Sequence, residues 1–452
     1  MRRSGFLIFS ACVGNLLEWY DFAVYALFAP YIAASIFRAT DDFSRLAQSL
    51  LVFGLGAVAR PLGALLIGLY ADRRGRGPAL LLTCLLMGAG TGMIVLDPPY
   101  AAAGRMSIVI LCAARILQGL SAGGEIGGAA AFLAEQARPG RRGLSASFLQ
   151  ATMGLSNMLG AAVAATLTTF LDHDQMAHWG WRVPFCIGLA IVPVGLVLRR
   201  AAPAAPPLSV PRQDRAHHHG LAVLRALAGR HRGALAAAFG LSVLWAAAPY
   251  ALVIFFPLYA QTALGASPHA SYVAYLLGNV ALVLGALAAG RLADRLGARR
   301  VLVAGAILLA VLPAAMMGVL GHRHDPATMA AVAAGLCGLV ALFVGAAPLG
   351  IAGLFPAPVR ATGIALSYNA ATSVFGGFAP AVLAALGTGI HGIAAPALYV
   401  AAAAIPALLG LAAPAFAGAG LEIPMGHAAE SIPAHTPGDE RMAMTTQRRH
   451  GA

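Results

Sequence analysis

Gly68-Leu69-Tyr70-Ala71-Asp72-Arg73-Arg74-Gly75 recurs as Gly290-Arg291-Leu292-Ala293-Asp294-Arg295-Leu296-Gly297. The copies begin close to half the chain length apart, and each closes one apolar block and precedes another. A short motif can recur by chance, but recurrence at matching places in two halves points to an internal duplication. In a polytopic membrane protein, such a repeat implies two parallel halves packed around a central cavity.

Outward from the repeat, the chain is apolar nearly throughout. Of its 452 residues, 59% are hydrophobic and only 10% charged, too few charges for a soluble shell. Mean hydropathy is +0.78. The apolar residues form blocks long enough to cross ~30 Å of hydrocarbon as helices. Spans are expected near Leu7–Ile36, Leu46–Ala71, Pro78–Leu96, Ile108–Leu133, Leu144–Leu171 and Val183–Leu198, then Ala234–Ala260, Ser271–Gly290, Val301–Leu320, Met329–Phe355, Thr362–Leu386 and Ile393–Phe416. The fold class is therefore an all-α membrane protein of twelve helices. Its domains are a bundle over residues 1–198, a linker over 199–233, a second bundle over 234–418 and a disordered tail over 419–452. Arg2 and Arg3 precede an apolar run as in a signal peptide, but Glu18, Asp21 and the length of the run favour a first transmembrane helix.

The net charge is +13, and every one of the thirty basic positions is Arg. The arginines collect in alternate gaps between blocks, which argues against a nucleic-acid face and sets orientation instead. One set of gaps holds Arg73, Arg74, Arg76, Arg138, Arg141, Arg142, Arg295, Arg299, Arg300 and Arg360, and this Arg-rich side, with both termini, is expected to be cytoplasmic. With no Lys to titrate, proton transfer falls to carboxylates and His. The five Cys lie in or beside apolar blocks without a CxxC pair, and the loop histidines lack companion ligands, so no metal or other cofactor is expected.

Several stretches resemble the major facilitator superfamily, whose loop signature is G-x-x-x-D-R-x-G-R, and within it the metabolite–proton symporters. They are Gly14-Asn15-Leu16-Leu17-Glu18-Trp19-Tyr20-Asp21-Phe22, Ala59-Arg60-Pro61-Leu62-Gly63, and the run from Arg115 through Gln118-Gly119 and Ser121 to Gly123-Gly124-Glu125. Trp179-Gly180-Trp181-Arg182, Phe355-Pro356, Arg360 and Tyr368-Asn369 extend the likeness to about Pro414. Gly77 departs from the loop signature, and Gly353 stands where the family often has Glu, so a cytoplasmic gate there would be weaker or differently built. The tail lacks the heptads of osmosensing members. The resemblance implies alternating access in a bacterial inner membrane. The expected cargo is a small organic acid, a di- or tricarboxylate, taken up with protons by a monomer. A zwitterion such as proline or betaine is the alternative substrate. An enzyme or a non-transporting sensor is disfavoured, because neither a nucleophile motif nor a folded tail is present.

An ionisable group in hydrocarbon costs several kcal/mol and persists where it lines a cavity or meets a partner. Those within spans are Glu18, Asp21, Arg60, Arg115 and Glu125, all in the first half. Asp21 lies three residues after Glu18 and four before Tyr25, so the three share one broad face of a helix. Asp21 is expected to accept the proton with Arg115 as its charge partner, and Glu125 is the second candidate. Protonation would release Arg115 to a substrate carboxylate. The competing view is a fixed packing pair. Arg60 is a second anion contact or a snorkelling cation. Asn15, Tyr25, Gln118, Asn157, Tyr250 and Asn369 are substrate-contact candidates or interhelical glue. By the resemblance, Asp72 and Asp294, with Arg73, Arg76, Glu135, Arg138, Arg142, Arg295 and Arg360, would form the cytoplasmic gate.

Overall fold

The computed structural model describes residues 15–16, 18–39, 41–74, 76–135, 137–138, 140–189, 192–193, 220–323, 325–386 and 394–417. Ten helices among them are long and apolar enough to span a bilayer. They are α2 (Asp42–Ala71), α3 (Pro78–Leu96), α4 (Arg105–Glu135), α5 (Arg142–Phe170), α7 (Arg232–Ile254), α8 (Pro268–Leu296), α9 (Ala298–His322), α10 (Pro326–Ala352), α11 (Ala357–Leu386) and α12 (Ala395–Ala412). α1 (18–36) and α6, which opens at Val183, complete twelve. The proposed tail and most of the linker lie outside the described residues.

Local chemistry sets the ends. Ser267 accepts from the Ala270 amide ahead of Pro268, and Asp325 accepts from the Thr328 amide ahead of Pro326. Each side chain satisfies an orphan amide, and each proline sits where its missing N–H costs nothing. Gly297 ends α8 at φ 88°, a conformation that favours glycine. Outward-facing leucines, including Leu62, Leu66, Leu284 and Leu409, are more than half exposed and give the molecule its apolar perimeter. α7 is the enclosed helix, with 94% of its most apolar window buried.

The halves meet along two equivalent seams, α2 against α11 and α5 against α8. Inside the first half α2 crosses α4 on bare backbone. A Cβ on Gly119 would run into the Gly56 carbonyl, one on Gly123 into that of Arg60, and one on Gly63 into that of Leu120. Small residues let two backbones approach this closely. The crossing matters because it brings Arg60 and Arg115 into one bundle. Gly119→Val should therefore lower the melting temperature in detergent, with overpacking costing about 1–3 kcal/mol. Gly92→Ala, where nothing lies within 4 Å of the added carbon, should leave it unchanged or slightly raised. Equal effects at the two positions would argue against a tight crossing.

Candidate functional site

Glu18 and Asp21 leave α1 in different directions. Asp21 is 3% exposed and points into the first bundle. The Thr91 hydroxyl of α3 donates to its Oδ2. The Gln118 amide of α4 donates to the same oxygen at 3.3 Å and to Thr91 Oγ1 at 3.1 Å. Oδ1 has no partner and faces α6, where a Cβ on Gly188 would come within 2.8 Å of it. Glu18 instead meets Arg60 of α2, its Oε1 lying 3.7 Å from Nη2.

Arg115 is fully buried in an aromatic box. Its guanidinium carbon lies 4.6 Å from the Phe22 ring centroid, 4.5 Å from that of Tyr25 and 5.1 Å from that of Phe53. Ring faces attract a cation, more strongly where water is excluded. Nη1 donates to Gln118 Oε1 at 2.7 Å, whereas Nε has no partner. The expected Asp21–Arg115 pair is therefore not direct. Among the described residues no ion pair joins them, and Gln118 stands between, its carbonyl on the cation and its amide on the carboxylate.

Arg60 faces the junction of the two halves. It lies over Phe22 at 4.4 Å and Trp19 at 5.5 Å, with Tyr368 of α11 within electrostatic reach. Its Nε and Nη2 make no hydrogen bond. From the second half come Tyr250, whose ring centroid is 6.1 Å from that of Trp19, and Trp245, at 4.5 Å from that of Tyr368. The Tyr250 hydroxyl and Trp245 Nε1 are buried without partners, as is Thr372 Oγ1. Two π-helical turns carry this side of the junction, Pro249–Ile254 in α7 and Thr372–Gly376 in α11. Such turns locally unwind a helix and recur at functional sites.

Bonds join the halves at both ends of the junction. At the Arg-rich end Asp294 accepts from the Gly143 amide at 2.6 Å and the Leu144 amide at 3.0 Å, capping α5 from α8. Arg360 pairs with Glu135 across the halves at 2.6 Å, and its Nε bonds the carbonyls of Ala352 and Phe355. This arrangement answers the loss implied by Gly353, because the acid comes from the opposite half. At the Arg-poor end Tyr272 donates to the Leu27 carbonyl at 2.9 Å, and at mid-depth Ser373 donates to that of Ala57 at 2.7 Å.

Other expectations fare unevenly. Glu125 sits half-buried where α4 breaks after Gly123, about 15 Å along the axis from Arg115 at the standard rise, so Arg115 does not hold it. Asn15 bonds the Leu149 carbonyl and Thr152 of α5, and Asn157 bonds Asn279 of α8 at 2.9 Å. Both are interhelical ties. Asn369 gives its amide to the Gly123 carbonyl at 3.0 Å and keeps an unpartnered carbonyl oxygen. Tyr25 donates to the Ser49 carbonyl at 3.1 Å. Arg138 and Arg295 are exposed, and Arg142 heads α5. The side chains of Asp72, Arg73 and Arg76 lie outside the described residues. Thr91, Trp245 and Thr372 escaped sequence reasoning, since a hydroxyl or indole in an apolar span leaves no charge signal.

Residues 11–287 match the family model of the Major Facilitator Superfamily. The chain is 33% identical to the citrate-proton symporter of Klebsiella pneumoniae, over 88% of both chains. It is 31% identical to the alpha-ketoglutarate permease of Escherichia coli, over 85% of this chain and 88% of that one. It is 29% identical to the proline/betaine transporter of Escherichia coli, over 89% and 81%. A solved D-xylose-proton symporter superposes with a TM-score of 0.72 at 18% identity, covering 90% of this chain and 97% of that one, which is a likeness of fold.

The α5 cap offers a direct test. Asp294→Ala removes both acceptors at about 1 kcal/mol each, and should raise maleimide labelling of a Ser147→Cys probe at least roughly fivefold. Unchanged labelling would mean that the cap does not hold α5 against α8.

Proposed function

Because the chain belongs to the Major Facilitator Superfamily, and is thus a multi-pass membrane protein and secondary transporter, we propose that it imports a small organic acid together with a proton. The observation that carries this reading is a set of buried donors facing the junction without acceptors: Arg60 Nε and Nη2, Trp245 Nε1 and the Tyr250 hydroxyl. A buried donor left unmade costs about 1–3 kcal/mol. A carboxylate entering between the halves satisfies several at once, and Arg can grip it with two parallel bonds. The relatives named for citrate and alpha-ketoglutarate agree with that chemistry. Entry is from the Arg-poor side, which the charge rule makes periplasmic in a bacterial inner membrane, with both termini cytoplasmic. The working unit is a monomer of two bundles, residues 1–198 and 234–418, with no resident cofactor.

Coupling runs through Gln118. With Asp21 ionised, Thr91 and Gln118 both donate to Oδ2, which aims the Gln118 carbonyl at Arg115. A proton on Asp21 removes the need for those donors and loosens Gln118, and Arg115 becomes free to answer another anion. Arg60 meanwhile exchanges Glu18 for the substrate carboxylate. Breaking either end gate, Asp294 with Glu135–Arg360 or the α2–α11 seam, then opens the site to one side. The side chains of Asp72, Arg73 and Arg76, together with Arg138, Arg142 and Arg295, belong to the Arg-rich gate on this scheme.

One observation favours a zwitterion as a second reading. Glu18 stands beside Trp19 and Arg60, an acid and a base with ring faces that could read a substrate carrying both charges. In that case Glu18, not Asp21, faces the substrate cation.

Uptake into proteoliposomes of citrate, 2-oxoglutarate, shikimate and betaine, with and without a pH gradient, separates the two. Asp21→Asn should abolish proton-driven accumulation of the transported member while sparing counterflow. Arg60→Lys should weaken its apparent affinity by roughly tenfold, about the loss of a bidentate grip. Accumulation that persists in Asp21→Asn would remove the coupling scheme.

A further inference from the structure

Asp97 is a buried carboxylate that this scheme leaves without a task. It follows the last residue of α3 at the Arg-poor end, in Asp97-Pro98-Pro99, and is 1% exposed. Neither carboxylate oxygen has a hydrogen-bond partner. The surrounding backbone is clamped. Arg182, just ahead of α6, donates Nη2 to the Asp97 carbonyl at 2.7 Å and Nη1 to the His178 carbonyl at 2.7 Å, and lies 4.2 Å over the Trp181 ring. Ser107 donates to the Pro98 carbonyl at 2.7 Å.

The ionisable groups around the carboxyl are Arg182, with Cys186 beside it on α6, and Tyr25 on α1, which has Cys112 of α4 beside it. Arg105 is exposed to solvent. Burial pushes the Asp97 carboxyl up to about 7 against the opposing pull of Arg182, so it titrates within the working range of a periplasmic surface.

Position gives the titration a direction. Asp97 is six residues beyond Thr91 on α3, about 9 Å along the axis, and Thr91 is the residue that donates to Asp21. Tyr25, within electrostatic reach of Asp97, is one turn from Asp21 on α1 and lies under the Arg115 guanidinium. We propose that Asp97 is a proton-loading carboxylate, taking a proton from the Arg-poor side and handing it along the α1–α3 seam to Asp21. The proton leaves water, resides on an Asp97 oxygen and ends on the unpartnered Oδ1 of Asp21. Between them the Tyr25 hydroxyl and intervening water each accept one proton and give up another, so charge and atoms balance. The inference rests on the proton-symport reading of Asp21.

The test uses the full-length protein in proteoliposomes with a trapped pH dye, and citrate and 2-oxoglutarate as probes. Asp97→Asn should slow substrate-driven acidification roughly tenfold or more while labelled-substrate counterflow stays at the wild-type rate. Asp97→Glu should restore most of the loss. Infrared difference spectra of wild type should show a protonated-carboxyl band that titrates between about pH 6 and pH 8 and is missing in Asp97→Asn. Wild-type acidification by Asp97→Asn, absence of that band, or a counterflow defect that Asp97→Glu does not rescue would each overturn the loading site. Asp21→Asn runs alongside. Lost acidification there, with none lost in Asp97→Asn, rejects the loading site alone, whereas acidification intact in Asp21→Asn rejects the symport reading itself.

Discussion

Two guanidinium groups buried in an apolar bundle are the constraint around which the rest is arranged. Arg60 and Arg115 are each almost wholly removed from solvent, inside a molecule whose perimeter is hydrocarbon. An uncompensated charge there is prohibitive, so each must be neutralised locally. The two are treated differently. Arg60 has a carboxylate 3.7 Å away, two ring faces and a tyrosine from the opposite half. Arg115 has three rings and an amide, and its carboxylate lies one hydrogen bond further on. A loosely held cation at the junction can trade partners. One held through an amide that also bonds a carboxylate is tied to a group it does not touch.

The duplicated scaffold is put to unequal use. The seams α2–α11 and α5–α8 are equivalent under the repeat, and both are sealed by small residues and backbone acceptors. The chemistry is nevertheless asymmetric. The carboxylates and guanidiniums at mid-depth come from the first half, whereas the second contributes neutral donors on two π-helical turns. Concentrating charge in one bundle keeps its network short.

Much of this was legible before any fold was in hand. Apolar block length defined the spans, and Asp294, marked by the repeat, caps a neighbouring helix as a carboxylate at a helix end can. The candidate site was less legible. Helical periodicity assigns Glu18, Asp21 and Tyr25 to one broad face, but neighbours three apart still diverge by about 60°. On a soluble amphipathic helix that angle is immaterial. In a bundle where α1 is buried on every side over residues 18–29, it separates the junction with α2 from the interior shared with α3, α4 and α6. Arg115 and Glu125 differ by about a quarter turn in angle and stand well apart in depth as well.

Thr91 shows the same limit from the other side. A threonine in an apolar run carries no charge and no periodicity, and nothing marks it until α3 is laid against α1. The sequence alone was enough to establish a duplicated, twelve-span membrane protein whose mid-span carboxylates lie in one half, because hydrophobicity, length and charge are one-dimensional quantities. Which carboxylate meets Arg60, which lies inside the first bundle, and that Gln118 joins Asp21 to Arg115 were decided by tertiary structure. Those outcomes depend on how far each helix is rotated about its own axis, and that rotation is set by glycine-lined crossings between segments remote in the chain.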